Sequence, residues 1–158
     1  MDFLQQLEQT RFSLWVSHSG SIWSYPAILL LHTYGMAVLV GLVGAIDLRI
    51  LGFAPALPLA PLQTFFPAIW TAFWVNAVSG TILLASEATT KLTNPDFGVK
   101  MLFIVLAALN LRLLQTRVFR GSDFARGLLP RHAKGLALIS LVCWIGAITA
   151  GRLLAYVH

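Results

Sequence analysis

The chain has 158 residues, 58% hydrophobic and only 11% charged, where soluble domains run roughly 45–50% apolar with glycine included and about 25% charged. A soluble fold of this size leaves too much of its chain in water to hide that apolar surface, and the mean hydropathy of +0.78 marks an integral membrane protein with the lipid bilayer as its surroundings. The net charge of +5 predicts no nucleic-acid partner, because the basic residues gather in one short loop, and the length excludes a large catalytic head.

The first predicted element is an amphipathic helix over about 2–17. There Phe3, Leu4, Leu7, Arg11, Leu14 and Trp15 recur at three- and four-residue spacing, which suits a helix lying in the membrane interface. Asp2 and Glu8 stand where a signal peptide carries Lys or Arg, and no continuous apolar core follows, so this opening does not read as one. A polar break, SHSGS, resets the chain.

Four apolar segments follow at about 25–47, 62–86, 97–115 and 134–157, each near the ~20 residues that cross ~30 Å of hydrocarbon. Trp23 and Tyr25 mark headgroup level, and Pro26 suits a first helical turn. A Pro-rich connector, FAPALPLAP, separates the first two segments. Ala37, Gly41 and Ala45 in the first, with Gly146 and Ala150 in the fourth, have the spacing that lets membrane helices approach closely. The expected fold is all-α: an integral membrane four-helix bundle with an N-terminal interfacial helix, forming one domain over 1–158.

Arg117, Arg120, Arg126, Arg131 and Lys134 lie between the third and fourth segments against Asp123 alone, and Arg49 adds to the same side. The positive-inside bias therefore places 48–61 and 116–133 in the cytoplasm and both termini outside.

Polar residues inside the spans are the candidate functional groups, because burial in hydrocarbon makes them expensive. His32 is the one histidine well within a predicted span. It reads either as an axial ligand to haem b or another metal centre, or as an imidazole hydrogen-bonded to a neighbouring helix. His18, His132 and His158 supply no second ligand at matching depth, and Met36 sits one turn from His32 on the same face. His32, Met36 and Cys143 together form a weaker copper option. Glu87, Lys100 and Arg152 share a depth at the outer ends of three helices. They read as an ion-pair cluster, or as a polar pocket for a quinone head or a haem propionate. Asp47 is expected to pair with Arg112 at the other end. Asn76 and Ser79 are expected as interhelical hydrogen-bond partners, and Trp70, Trp74 and Trp144 as packing residues able to flank a planar cofactor. The lone Cys143 builds no disulfide or CxxCH haem attachment, and no Walker, GxGxxG, HExxH or GxSxG motif is present, which argues against an enzyme with its own chemistry.

Several segments taken together, HTYGMAVLVG, AIDLRILG, WVNAVSGTILLASEA, NPDFGVKMLFIVLAALN and WIGAITAGRLLAY, resemble a family of small bacterial four-helix inner-membrane proteins of unassigned function. The matching positions are His32, Gly35, Asp47, Arg49, Asn76, Gly80, Glu87, Asn94, Phe97, Lys100, Asn110 and Arg152. The resemblance implies fold and topology. More distantly, the layout is similar to four-helix b-type cytochromes and copper-resistance membrane proteins, although paired histidines on facing helices are missing.

The expectation from sequence is a multi-pass inner-membrane redox or accessory subunit. It would bind haem b through His32, with Trp74, Asn76, Glu87, Lys100 and Arg152 as further cofactor-binding candidates, and would serve other membrane or periplasmic protein subunits. The alternatives are a cofactor-free structural subunit and a small transporter or copper-handling protein.

Overall fold

The computed structural model describes residues 2–121, 124 and 128–154, with the backbone alone for Asp2, Phe3 and Leu7. Among the described residues the regular structure is helical throughout: α1 (Asp2–Glu8), α2 (Arg11–His18), α3 (Tyr25–Leu51), α4 (Phe66–Ala85), α5 (Ala88–Leu92), α6 (Pro95–Leu113) and α7 (Ala133–Leu153). A 3-10 turn, Ala60–Phe65, leads into α4, and a π turn, Leu114–Phe119, continues α6.

Four of these are long and apolar enough to cross a membrane: Tyr25–Leu51, Ala60–Ala85, Pro95–Phe119 and Ala133–Leu153. Their limits follow from local chemistry. Proline occupies the first turn of α3, α4 and α6, where its missing N–H costs no hydrogen bond. Asn94 caps α6 by accepting the Asp96 N–H at 2.9 Å. Helix α3 stops at Gly52, whose φ of 111° suits the residue without a Cβ. Leu29, Leu30, Val38, Leu102, Leu109 and Ile145 are exposed on the outside of the bundle, as hydrocarbon-facing side chains should be.

The opening segment is two helices where the sequence predicts one. The Thr10 hydroxyl accepts the Ser13 N–H at 3.3 Å and so starts a second helix. Helix α2 buries Ser13 and Val16 and exposes Phe12, Leu14 and Trp15. The Ser13 hydroxyl donates to the Ala85 carbonyl at 3.4 Å, and the Glu8 carboxylate accepts the Thr89 N–H at 2.6 Å. The helix pair is therefore tied to the end of α4 and to α5, on the face of the bundle where the chain enters α3; this is called the terminal face below. The opposite face, carrying the basic loop, is the basic face.

Helix α3 packs along α4, α6 along α7, and α3 along α7. Among the described residues the fourth side of the square, between α4 and α6, is the sparsely packed one, and its named contacts lie near the basic face. There Trp70 Nε1 donates to Gln115 Oε1 at 3.0 Å, Gln63 Nε2 donates to the Phe119 carbonyl at 2.6 Å, and the Phe66 and Phe119 rings meet edge-on at 5.1 Å. The packed core, including Leu39, Val43, Ile46, Ile69, Leu111 and Val118, fills the rest of the square.

One packing expectation is corrected. Ala37, Gly41 and Ala45 are exposed, and a Cβ added to Gly41 meets nothing within 4 Å. The seam face of α3 is Gly35, Leu39, Val43, Ile46, Asp47 and Ile50. Because α3 is apolar all round, small-residue spacing alone does not select its buried side. In α7 the expected row does pack: Ala150 is buried, and a Cβ on Gly146 falls 2.7 Å from the Phe103 ring.

Candidate functional site

Helices α3 and α4 approach through a reciprocal exchange of polar side chain and glycine. The His32 imidazole of α3 lies against Gly80 of α4, with Cε1 3.0 Å from where a Cβ would stand. Conversely the Asn76 amide of α4 lies against Gly35 of α3, with Nδ2 2.9 Å from the corresponding position. Each glycine is therefore set by the ring or amide it faces.

His32 is half-buried, and its Nδ1 lies 3.0 Å from the Ser79 hydroxyl. That hydroxyl has a single hydrogen, which it donates to the Val75 carbonyl at 2.7 Å. It therefore meets the imidazole as an acceptor, so Nδ1 carries the proton and Nε2 the lone pair. The ring also lies close to the Asn76 backbone carbonyl, an acceptor that likewise calls for a ring N–H; among the described residues no hydrogen bond to Nε2 meets ordinary geometry. An imidazole anchored by Nδ1–H with Nε2 free is the arrangement that metal-ligating histidines adopt.

His32 opens on a groove of about 480 Å³ that occupies the unfilled side of the square between α4 and α6. Phe73, Trp74 and Gly80 line it from α4, and Phe97, Lys100 and Met101 from α6. Its floor is made by Met36 and Leu39 of α3 with Trp144 and Ala147 of α7. The size falls within the range of roughly 300–1,000 Å³ common for small-molecule sites, and the mostly apolar wall with few polar groups matches them too. Near the basic face, Trp70, Phe73 and Trp74 follow one another edge-on at 5.6 Å.

Of the residues singled out from sequence, His32, Trp74, Asn76 and Lys100 line this one groove; Glu87 and Arg152 do not. Glu87 forms an ion pair with Lys91 at 2.7 Å, one turn along the chain, and so is not the partner of Lys100. Arg152 is exposed near the end of α7. Ser79 makes the expected hydrogen bond across helices. Asn76 does not: both its amide atoms are buried without a partner. His18 and His132 are exposed outside the spans, and His158 lies outside the described residues. Cys143 is buried in the core, away from the groove lining that holds His32 and Met36.

The expected pairing of Asp47 with Arg112 is also corrected. Arg112 is exposed, whereas Asp47 is fully buried in the α3–α7 seam, where it faces Ser140. Among the described residues neither the carboxylate oxygens nor the Ser140 hydroxyl makes a hydrogen bond of ordinary geometry, although the two side chains face each other. Asp47 faces the bundle interior while α6 turns Arg112 outward, and position along a helix does not report rotation about it.

The sequence reading assigned no role to Gly35, Gly80 or Met101. The glycines carry a usable signal, since Gly35 follows His32 by three residues and Gly80 follows Asn76 by four, the spacing that places them on the same helix face. Met101 carries none, because its thioether reaches the groove only by virtue of how α6 is rotated.

Comparison of the chain with protein families, with curated proteins and with solved structures finds no match.

Proposed function

We propose that this multi-pass membrane protein is a redox subunit that holds haem b in the α4–α6 groove through His32. The observation that carries the reading is the His32 ring itself: Nδ1 is committed to Ser79, and among the described residues no hydrogen bond of ordinary geometry reaches Nε2 at the wall of a lipid-level cavity. The donor set fits the group. Neutral imidazole is the common protein ligand to haem iron, Phe73, Phe97 and Trp74 supply apolar surface for a flat macrocycle, and the cavity is large enough for a cofactor. Bound haem supplies reversible one-electron transfer. The chain's own part is to orient one imidazole, to keep water from its nitrogen with aromatic walls, and to place the site where a membrane partner can reach it. Among the described residues no group of three or more His, Cys, Asp or Glu gathers to hold a metal ion, so copper handling draws no support from a ligand cluster.

The test is an optical spectrum of protein purified in mild detergent from its own host, oxidised and then dithionite-reduced. A Soret band with a reduced α-band, lost in His32→Ala, is the expected result. A featureless visible region with normal assembly of His32→Ala overturns the reading. A second reading is favoured by the same missing helix interface: a cofactor-free subunit whose groove receives a helix of a larger membrane complex. It predicts spectral silence together with disulfide trapping of Leu109→Cys to a partner chain.

A further inference from the structure

Among the described residues the polar end of the groove holds a cation without a counter-charge. Lys100 stands five residues into α6, about 7 Å below its start at 1.5 Å per residue, within a span and half-buried. Its side chain lies flat across Gly151 of α7, with Cδ, Cε and Nζ at 3.6, 3.5 and 3.7 Å from where a Cβ would stand. This contact lays the lysine stem along α7 and restrains the ammonium from extending fully to the headgroups. Among the described residues Lys100 makes neither an ion pair nor a hydrogen bond. Glu87 is taken by Lys91, and Asp96, one turn back on α6, does not close on Lys100. Lys91 and Lys100 are near enough to repel each other. A cation inside a membrane span without a counter-charge is costly, and here the open space beside it is the groove into which His32 also faces.

We propose that Lys100 anchors a carboxylate carried by the ligand of this groove, namely a haem propionate. This rests on the haem reading and adds to it the direction of the bound group: iron at His32, carboxylate edge toward the terminal face, apolar edge toward Trp74. Charge complementarity carries the assignment, because among the described residues the groove lining has Lys100 as its one ammonium, no carboxylate and otherwise nearly apolar walls.

The test is titration of detergent-purified protein with haemin and with haemin dimethyl ester, in the wild type, Lys100→Gln, Lys100→Arg and His32→Ala. The expected result is that Lys100→Gln and esterification each weaken binding about tenfold, the low end for a hydrogen bond to a charged group. The two losses are not additive, Lys100→Arg restores most of the affinity, and the Soret position is unchanged because the iron ligand is untouched. Equal affinity for haemin and its ester, with Lys100→Gln unaffected and His32→Ala inactive, overturns this inference and leaves the haem reading standing. No haemin binding by the wild type overturns both. The ester arm needs no substitution, so a poorly folded variant does not blur the outcome.

Discussion

His32 owes its position to two residues that offer the iron no ligand of their own. Ser79 fixes which nitrogen carries the proton, and Gly80 leaves the space in which the ring lies. Removing an outer partner of a metal-bound histidine typically weakens metal binding 10–100-fold. Ser79→Ala is therefore expected to weaken haem binding by about that factor without abolishing it, as read by haemin titration. Gly80→Val is expected to abolish it, because a branched side chain cannot share space with the ring at 3.0 Å. Unchanged binding in both variants would show that His32 is held some other way. That a histidine lies well within the first span was legible in the sequence; which of its nitrogens faces Ser79 was not, since that depends on how α3 and α4 are rotated against each other.

At the level of helices, the spans and their punctuation were legible, because apolar length, first-turn prolines and the Asn94 cap are local signals. Rotation about each helix axis was not. Spans that are apolar all round give the bundle no moment to align, which is why the spacing of Ala37, Gly41 and Ala45 points to a seam while the row itself is exposed. The contrast yields a paired expectation. Gly41→Val should change thermal stability in detergent by no more than about 0.5 kcal/mol, as at an open surface position. Gly146→Val, driven into the Phe103 ring, should cost about 1–3 kcal/mol as overpacking does. The reverse order would place the seam on the wrong face of α3.

The α1–α5 link belongs to the same scale. The Thr89 N–H holds the Glu8 carboxyl below its ordinary value of 4.5. A group whose pKa is lower in the folded state contributes stability above its unfolded pKa and loses it as pH falls through the folded one. Protection of the Thr89 amide from hydrogen exchange, corrected for intrinsic rate, should therefore fall only in the acidic range below 4.5. Glu8→Gln should lack that dependence.

For the whole molecule, four spans and a capped terminal face follow from composition, length and loop charge, whereas the groove does not. It exists because α4 and α6 pack sparsely, with their named contacts near the basic face, Trp70 with Gln115 and Gln63 with the Phe119 carbonyl, between segments some fifty residues apart that no local pattern announces. The same opening brings His32, Asn76, Trp74 and Lys100 to one cavity while leaving Glu87 and Arg152 outside it. The central claim is that this opening is a cofactor site organised by His32. Its most direct test is native mass spectrometry of the protein released from detergent after purification from its own host, beside His32→Ala and Glu87→Gln. One haem b per chain in the wild type and in Glu87→Gln, and none in His32→Ala, is the predicted result. A wild type that flies without haem, or a His32→Ala protein that retains it, would contradict the claim.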